Sequence, residues 1–199
     1  MQQQEDNAYK KVNKADGTLG ADGRLEIIGN YPISDKDYLY EKEDPDVVTM
    51  YLTVSYGNEG DGTNHTWEEV NTYSAYYYDD LDIERYMVEG LLQVGDENGP
   101  TKGSYGYGEV TPNATVSIRG QTSTYREQKN YKISIKENKP KYQEQRIINL
   151  NKHVGESLRF RNKLCFDLMS EIPGMMSVRT QFVHLYVKDL TAGKREFED

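Results

Sequence analysis

The chain has 199 residues, which is long enough for one large domain or two small ones with a buried core. Apolar residues make up 36% of it, and no window approaches the roughly 18 consecutive apolar residues of a transmembrane helix, so no membrane span is predicted. The single cysteine, Cys165, excludes an internal disulfide.

Charge divides the chain near residue 110. Residues 1–110 contain 8 Lys and Arg against 23 Asp and Glu, which leaves 16 against 10 for residues 111–199. The acidic half argues against nucleic acid as the main partner. The basic half suits a phosphate-bearing ligand, although an uneven polar surface gives the same numbers. We predict a flexible arm at 1–24, an acidic, tyrosine-rich β extension at 25–110 and a separate region at 111–199.

The acidic half contains four stretches that favour strands. Leu25–Gly29 is short, whereas Val47–Tyr56 alternates apolar and polar residues as a half-buried strand does. Trp67–Tyr73 and Arg85–Val94 are predicted to be further strands, because they are rich in aromatic and β-branched residues. An acidic, aromatic turn is expected between them.

A polar hairpin opens the basic half. A strand over Thr115–Arg119 is followed by a turn and a second strand that starts at Lys129. Period-two alternation places Lys129 on the same face as Tyr131 and Ile133. A lysine on an apolar face needs a counter-charge, a route to water or a cleft.

The turn of this hairpin offers a group of donors suited to an anion: Arg119, Gly120, Thr122 and Ser123. On spacing alone, an ordinary hairpin whose lysine reaches water is the favoured explanation.

The strongest helical pattern covers residues 157–172 and ends at Pro173. Its apolar stripe includes Cys165, which we expect to be a small core residue. Arg161 and Asn162 are expected beside that stripe, on the packing face. A final strand is predicted at Thr180–Val187, with an outer edge that is open or covered by a second copy of the chain. The fold class is therefore α+β, mainly antiparallel sheet with one principal helix packed on it.

Five motifs occur in one order along the basic half: RGQTS at 119–123, KNYKI at 129–133, INLNKH at 148–153, RFRNKLCFDLM at 159–169 and RTQFVHLYV at 179–187. This combination resembles the CotH-like kinase family, of the spore-coat protein H type, over about residues 115–190. Any one of these motifs alone would be unspecific.

The resemblance implies an atypical protein kinase that uses ATP and Mg²⁺ to phosphorylate serine residues of coat or cell-surface proteins. It implies a spore-coat, cell-surface or extracellular location. Residues 111–199 would correspond to the smaller lobe, with Lys129 pairing with the phosphates of ATP. The other implied nucleotide-site residues are Arg119, Thr122 and Ser123 of the polar turn, and Arg161 and Asn162 of the helix.

One departure from the family pattern concerns the carboxylates that hold the metal and orient the attacking hydroxyl. In the family these lie downstream of the last strand, whereas this chain ends at Asp199. We therefore expect an upstream fragment that is inactive alone and binds no cofactor tightly.

Two other function classes remain open. A tyrosine-rich surface at Tyr73, Tyr76, Tyr77 and Tyr78 would suit a non-catalytic assembly module of a coat or surface protein. A carbohydrate-binding β-sandwich, with calcium in the GNEGDGTN loop at 57–64, is the other alternative.

Overall fold

The computed structural model describes residues 18–19, 25–26, 47–153, 155, 159–191 and 197–198. The chain divides into two units, Met1–Val47 and Val48–Asp199. In the first unit, β1 (Thr18–Leu19) pairs antiparallel with β2 (Leu25–Glu26), which confirms the start of the strand expected at Leu25. The prediction of a flexible arm at 1–24 lies almost wholly outside the described residues.

The second unit is built on one large sheet. Its strands stand in the order β10-β9-β3-β4-β6-β7-β8, and β5 pairs with the end of β4. Their bounds are β3 Val47–Ser55, β4 Met87–Asp96, β5 Gly99–Pro100, β6 Ala114–Arg119, β7 Asn130–Ile135, β8 Ile147–Leu150, β9 Phe182–Asp189 and β10 Phe197–Glu198. The predicted α+β class dominated by sheet is confirmed. Strands from both sides of residue 110 pair within this sheet, so the change of charge is not a boundary of the sheet.

The hydrophobic core covers one face of the sheet. The register brings Val88, Val116 and Ile133 side by side across β4, β6 and β7, and all three are fully buried. Ile118 lies opposite Tyr131 on the same face. Because side chains alternate along a strand, the residues between these positions occupy the opposite, more polar face.

Two short helices close the core, and both correct the sequence prediction. Trp67–Thr72 forms α1, not a strand, and Ala75–Leu81 forms α2 in place of the expected acidic turn. Both helices face the core, because Val70 of α1 and Tyr78 of α2 belong to the buried cluster.

A capping box starts α1. The Thr66 hydroxyl oxygen accepts a hydrogen bond from the Glu69 backbone N–H at 3.0 Å, and the Glu69 carboxylate accepts one from the Thr66 N–H at 2.7 Å. These two bonds satisfy backbone donors that a new helix leaves without partners. This local signal outweighs the strand preference of the aromatic and β-branched residues that follow it.

The third helix, α3, is shorter and more exposed than predicted. It spans Arg161–Ser170, which confirms a helix within the predicted range. It buries no residue, so the expectation that it packs through an apolar stripe is wrong. Cys165 is exposed and not a core residue. The helix turns Lys163 inwards instead, with the Lys163 ammonium 5.7 Å from the centre of the Phe182 ring.

The strand expected at Thr180–Val187 is present as β9, and part of its outer edge is covered by the chain itself. Phe197 and Glu198 of β10 pair antiparallel with Lys188 and Val187. Pairing of the remaining edge with a second copy stays a prediction.

The substitution Thr66→Ala tests the capping box. Loss of the hydroxyl should reduce the free energy of unfolding by about 1 kcal/mol in urea denaturation. Thr72→Ala, at the exposed end of the same helix, removes a bond from the Thr72 hydroxyl to the Glu68 carbonyl and should cost less than about 0.5 kcal/mol. Equal losses for the two variants would show that the box does not stabilise the helix.

Glu69→Gln tests the charge in that box. The hydrogen bond from the Thr66 backbone lowers the pKa of Glu69, so the ionised form stabilises the folded chain. This contribution is complete above the ordinary glutamate pKa of about 4.3 and disappears as pH falls through the lowered value. Wild type should therefore exceed Glu69→Gln in melting temperature at pH 7, and the gap should close at acid pH. A gap that is constant with pH would contradict a role for the charge.

Candidate functional site

The RGQTS motif forms a tight turn at the end of β6. Gly120 adopts a φ of +97°, and a Cβ placed there would come within 2.1 Å of the Ser123 hydroxyl. That hydroxyl donates a hydrogen bond back to the carbonyl of Arg119 at 3.3 Å. Glycine is therefore required both for the backbone conformation and for the space. Thr122, the remaining polar residue of the predicted donor group, is exposed on this turn.

A buried threonine, Thr124, fixes the turn to the rest of the fold. Its hydroxyl donates to the Gln121 carbonyl at 2.6 Å and accepts from the backbone N–H of Ala75, the first residue of α2, at 2.9 Å. Its carbonyl accepts a hydrogen bond from the Lys129 ammonium at 2.7 Å. Lys129 is half-buried just before β7, and this burial lowers the pKa of its amine.

The turn borders an open cleft of about 470 Å³. Three cationic side chains line the cleft, Arg85, Arg119 and Lys132, together with the carboxylates of Asp79 and Glu84. The remaining lining residues include Ser117 and Met87, which lie opposite each other across β6 and β4. Lys132 lies opposite Ser117 across β6 and β7, on the polar face of the sheet. Tyr78 and Ile118, which also line the cleft, belong to the core, so the cleft takes residues from both faces.

Arg85 is held in place at the rim of the cleft. Its guanidinium donates to the Ile118 carbonyl at 3.2 Å and to the Gln121 side-chain oxygen at 3.5 Å. The Gln121 amide in turn donates to the Asp79 carboxylate at 2.7 Å. A neutral donor leaves the charge of Asp79 in place, so the lining carries three cations against two carboxylates.

The segment 151–153 links the hairpin to α3. The Arg119 guanidinium donates to the side-chain oxygen of Asn151 at 2.5 Å, and the Lys152 N–H donates to Asn130 at 2.7 Å. The amide nitrogen of Asn162 lies 3.5 Å from Nδ1 of His153. Through these bonds Arg119 and Asn162 belong to one connected region of the surface.

The structure brings together some of the predicted site residues and separates others. Arg119 lines the cleft, whereas Lys129 does not contribute to its lining. Arg161 and Asn162 are exposed at the start of α3, so the expectation that they point along a packing face is wrong. Their participation in nucleotide binding stays a prediction.

The described part of the chain shows neither a metal-binding cluster nor a membrane-spanning helix. Among these residues, no group of three or more His, Cys, Asp and Glu side chains is arranged to hold a metal ion. In loop 57–64, the Asp61 carboxylate accepts hydrogen bonds from the backbone and hydroxyl of Thr63. No helix in the described ranges has the length and apolar character needed to cross a bilayer.

Together, the sheet, the glycine turn and the cleft beside it define an α+β module. Residues 116–194 match the family model described as CotH kinase protein, which confirms the family resemblance for this segment. It begins in β6 and contains the RGQTS turn and α3. No curated protein and no solved structure gives a significant match.

Sequence reasoning missed Arg85, Lys132 and Thr124. Arg85 was predicted to be the first residue of a strand, but β4 begins only at Met87. The alternation of side chains along β7 was enough to identify Lys132, because it places this lysine on the exposed face, opposite the buried Ile133. No local signal identified Thr124, since its importance depends on the position of α2.

Gly120→Ala tests the turn, and Gly103→Ala is the matched control. Both glycines have positive φ, but a Cβ at Gly103 meets nothing within 4 Å. Alanine introduces backbone strain at both positions. Only the alanine at position 120 also displaces the Ser123 hydroxyl from its hydrogen bond to the Arg119 carbonyl. Gly120→Ala should therefore lose about 1 kcal/mol more stability in urea denaturation. Equal losses would show that the close approach to Ser123 is not limiting.

Proposed function

We propose that this chain supplies the phosphate-binding part of a CotH-like protein kinase. The observation that supports the proposal is the position of Arg119: the arginine of the RGQTS motif lines a cleft with two further cations. The family match over residues 116–194 supports the same conclusion independently. In this proposal residues 111–199 correspond to the smaller lobe of the kinase.

The donors of the cleft fit an oligophosphate. A guanidinium presents several N–H groups in a planar fork that matches phosphate oxygens, and an ammonium adds a compact charge. Arg85 and Arg119 supply two such forks and Lys132 the point charge. The hydroxyl of Ser117 adds a neutral polar group to the cleft.

The activity of the whole protein would be transfer of the γ-phosphoryl group of ATP to serine residues of a coat or cell-surface protein. Such a reaction is catalysed largely by positioning and by charge stabilisation, which the cations of the cleft would begin to provide. A location in the spore coat, on the cell surface or outside the cell follows from this substrate class as part of the proposal.

The described residues do not fit a bound Mg²⁺ ion. Asp79 and Glu84 are the only carboxylates that line the cleft, and Asp79 is engaged by Gln121. A divalent metal normally needs several oxygen ligands around it. The role assigned here to residues of this chain is therefore phosphate binding, without a metal-dependent step.

A non-catalytic assembly role is the second candidate, supported by one exposed aromatic pair. Tyr76 and Tyr125 stack with ring centres 5.3 Å apart and are 41% and 62% exposed. The predicted surface of four tyrosines is smaller than expected. Tyr78 is buried, and the rings of Tyr73 and Tyr77 stack on each other with their centres 4.1 Å apart. A carbohydrate-binding sandwich is not favoured, since the described strands of the second unit form a single sheet.

Arg119→Ala tests the proposed function in the full chain. Removal of the guanidinium should weaken ATP binding about tenfold to a hundredfold in isothermal titration calorimetry, because charge-assisted hydrogen bonds contribute about 1.5–3 kcal/mol each. Lys102→Ala is the control, since it removes an exposed cation from a loop that does not line the cleft.

Two results would contradict the proposal. One is a wild-type chain that shows no ATP binding at millimolar nucleotide. The other is an equal affinity of Arg119→Ala and Lys102→Ala, which would show that the cleft does not carry the interaction. A circular dichroism spectrum of each variant checks that the fold is retained.

A further inference from the structure

The motif segment contains two lysines that face opposite sides of the sheet. Lys129 and Lys132 are three positions apart, so alternation assigns them to different faces. The apolar face of β7 carries Ile133 and Ile135, which are both buried. Lys132 is exposed on the other face, between Ser117 of β6 and Asn149 of β8.

Lys129 has a structural partner. Its ammonium donates to the carbonyl of Thr124, and the hydroxyl of Thr124 accepts from the first N–H of α2. Thr124 is only 1% exposed; its hydroxyl joins the turn to α2, and the Lys129 ammonium binds the carbonyl of the same residue from within the turn. This half-buried amine is engaged by that carbonyl and does not line the cleft.

Lys132 has the opposite surroundings. It lines the cleft with Arg85 and Arg119, and within the described residues it forms no ion pair. Its three N–H donors are therefore available to an incoming anion. Arg85 differs from Lys132, because its guanidinium is already held by two acceptors, the Ile118 carbonyl and the Gln121 side chain. A side chain held in place loses less conformational entropy when a ligand binds.

We propose that Lys132 and Arg85, together with Arg119, contact the phosphate groups of the ligand, and that Lys129 stabilises the turn without touching it. This inference rests on the proposed function and specifies which part of the nucleotide the cleft recognises. Three cations against two carboxylates favour an oligophosphate over a single carboxylate or a neutral sugar. Inorganic tripolyphosphate should therefore bind the same cleft and compete with ATP.

The experiment titrates the full chain with ATP and, separately, with tripolyphosphate. Lys132→Gln and Arg85→Lys should each weaken both ligands about tenfold while the melting temperature stays within about 2 °C of wild type. Lys129→Gln should lower the melting temperature by several degrees and change the affinity of the folded protein less than threefold. Lys102→Gln controls for the loss of one positive charge.

Titrations at several salt concentrations distinguish a lysine that contacts the ligand from one that only stabilises the turn. Affinity falls with ionic strength in proportion to the charges that meet the ligand, because salt screens those pairs. The dependence should be shallower for Lys132→Gln than for wild type, and unchanged for Lys129→Gln. A merely structural effect of Lys132 would not alter this dependence.

The outcomes distinguish the inference from the proposed function. If wild type binds neither ligand, the proposed function fails and the inference with it. If wild type binds ATP, and Lys129→Gln abolishes binding at an unchanged melting temperature while Lys132→Gln has no effect, the inference alone is overturned. ATP binding without tripolyphosphate binding also overturns it, since the nucleoside would then be the recognised part.

Discussion

The register between β6 and β7 is the constraint on which the rest of the structure depends. Ile118 opposite Tyr131 and Val116 opposite Ile133 fix which side chains enter the core. The same pairing places Ser117 opposite Lys132 on the other face, and both of these residues line the cleft. A slip of one residue would exchange the two sets, burying the lysine and exposing the isoleucine. Packing of the core and the chemistry of the cleft are thus two results of one register.

The turn between β6 and β7 takes part both in the packing against α2 and in the lining of the cleft. The Thr124 hydroxyl joins the turn to α2, the Lys129 ammonium binds the Thr124 carbonyl, and Arg119 at the start of the turn lines the cleft. A buried ammonium is costly unless it finds an acceptor, and the Thr124 carbonyl supplies one. The sequence motif therefore combines residues with different tasks. Resemblance to a family assigns a motif to a site, but only the fold separates the residues that support the site from those that line it.

The helices show where local and distant interactions compete. At Trp67–Thr72 a local signal, the Thr66 and Glu69 capping box, outweighs the preference of the side chains for a strand. At Arg161–Ser170 the predicted helix is present, yet Leu168 of its predicted apolar stripe is 58% exposed. Periodicity predicts that a segment is helical and which side is apolar. It does not supply a surface for that side to pack against.

The sequence by itself determined the sheet-rich α+β class, strands β3, β4, β6 and β9 to within a few residues, and the family resemblance of the basic half. These follow from period-two alternation and from motif order, which are properties of neighbouring residues. Only the tertiary structure decided that Lys132, rather than Lys129, lines the cleft and that Arg85 joins it from 33 residues away, through its bond to Ile118. The physical reason is that a site is formed by strands and loops distant in the chain, and their meeting depends on pairing and packing that no short window of sequence contains.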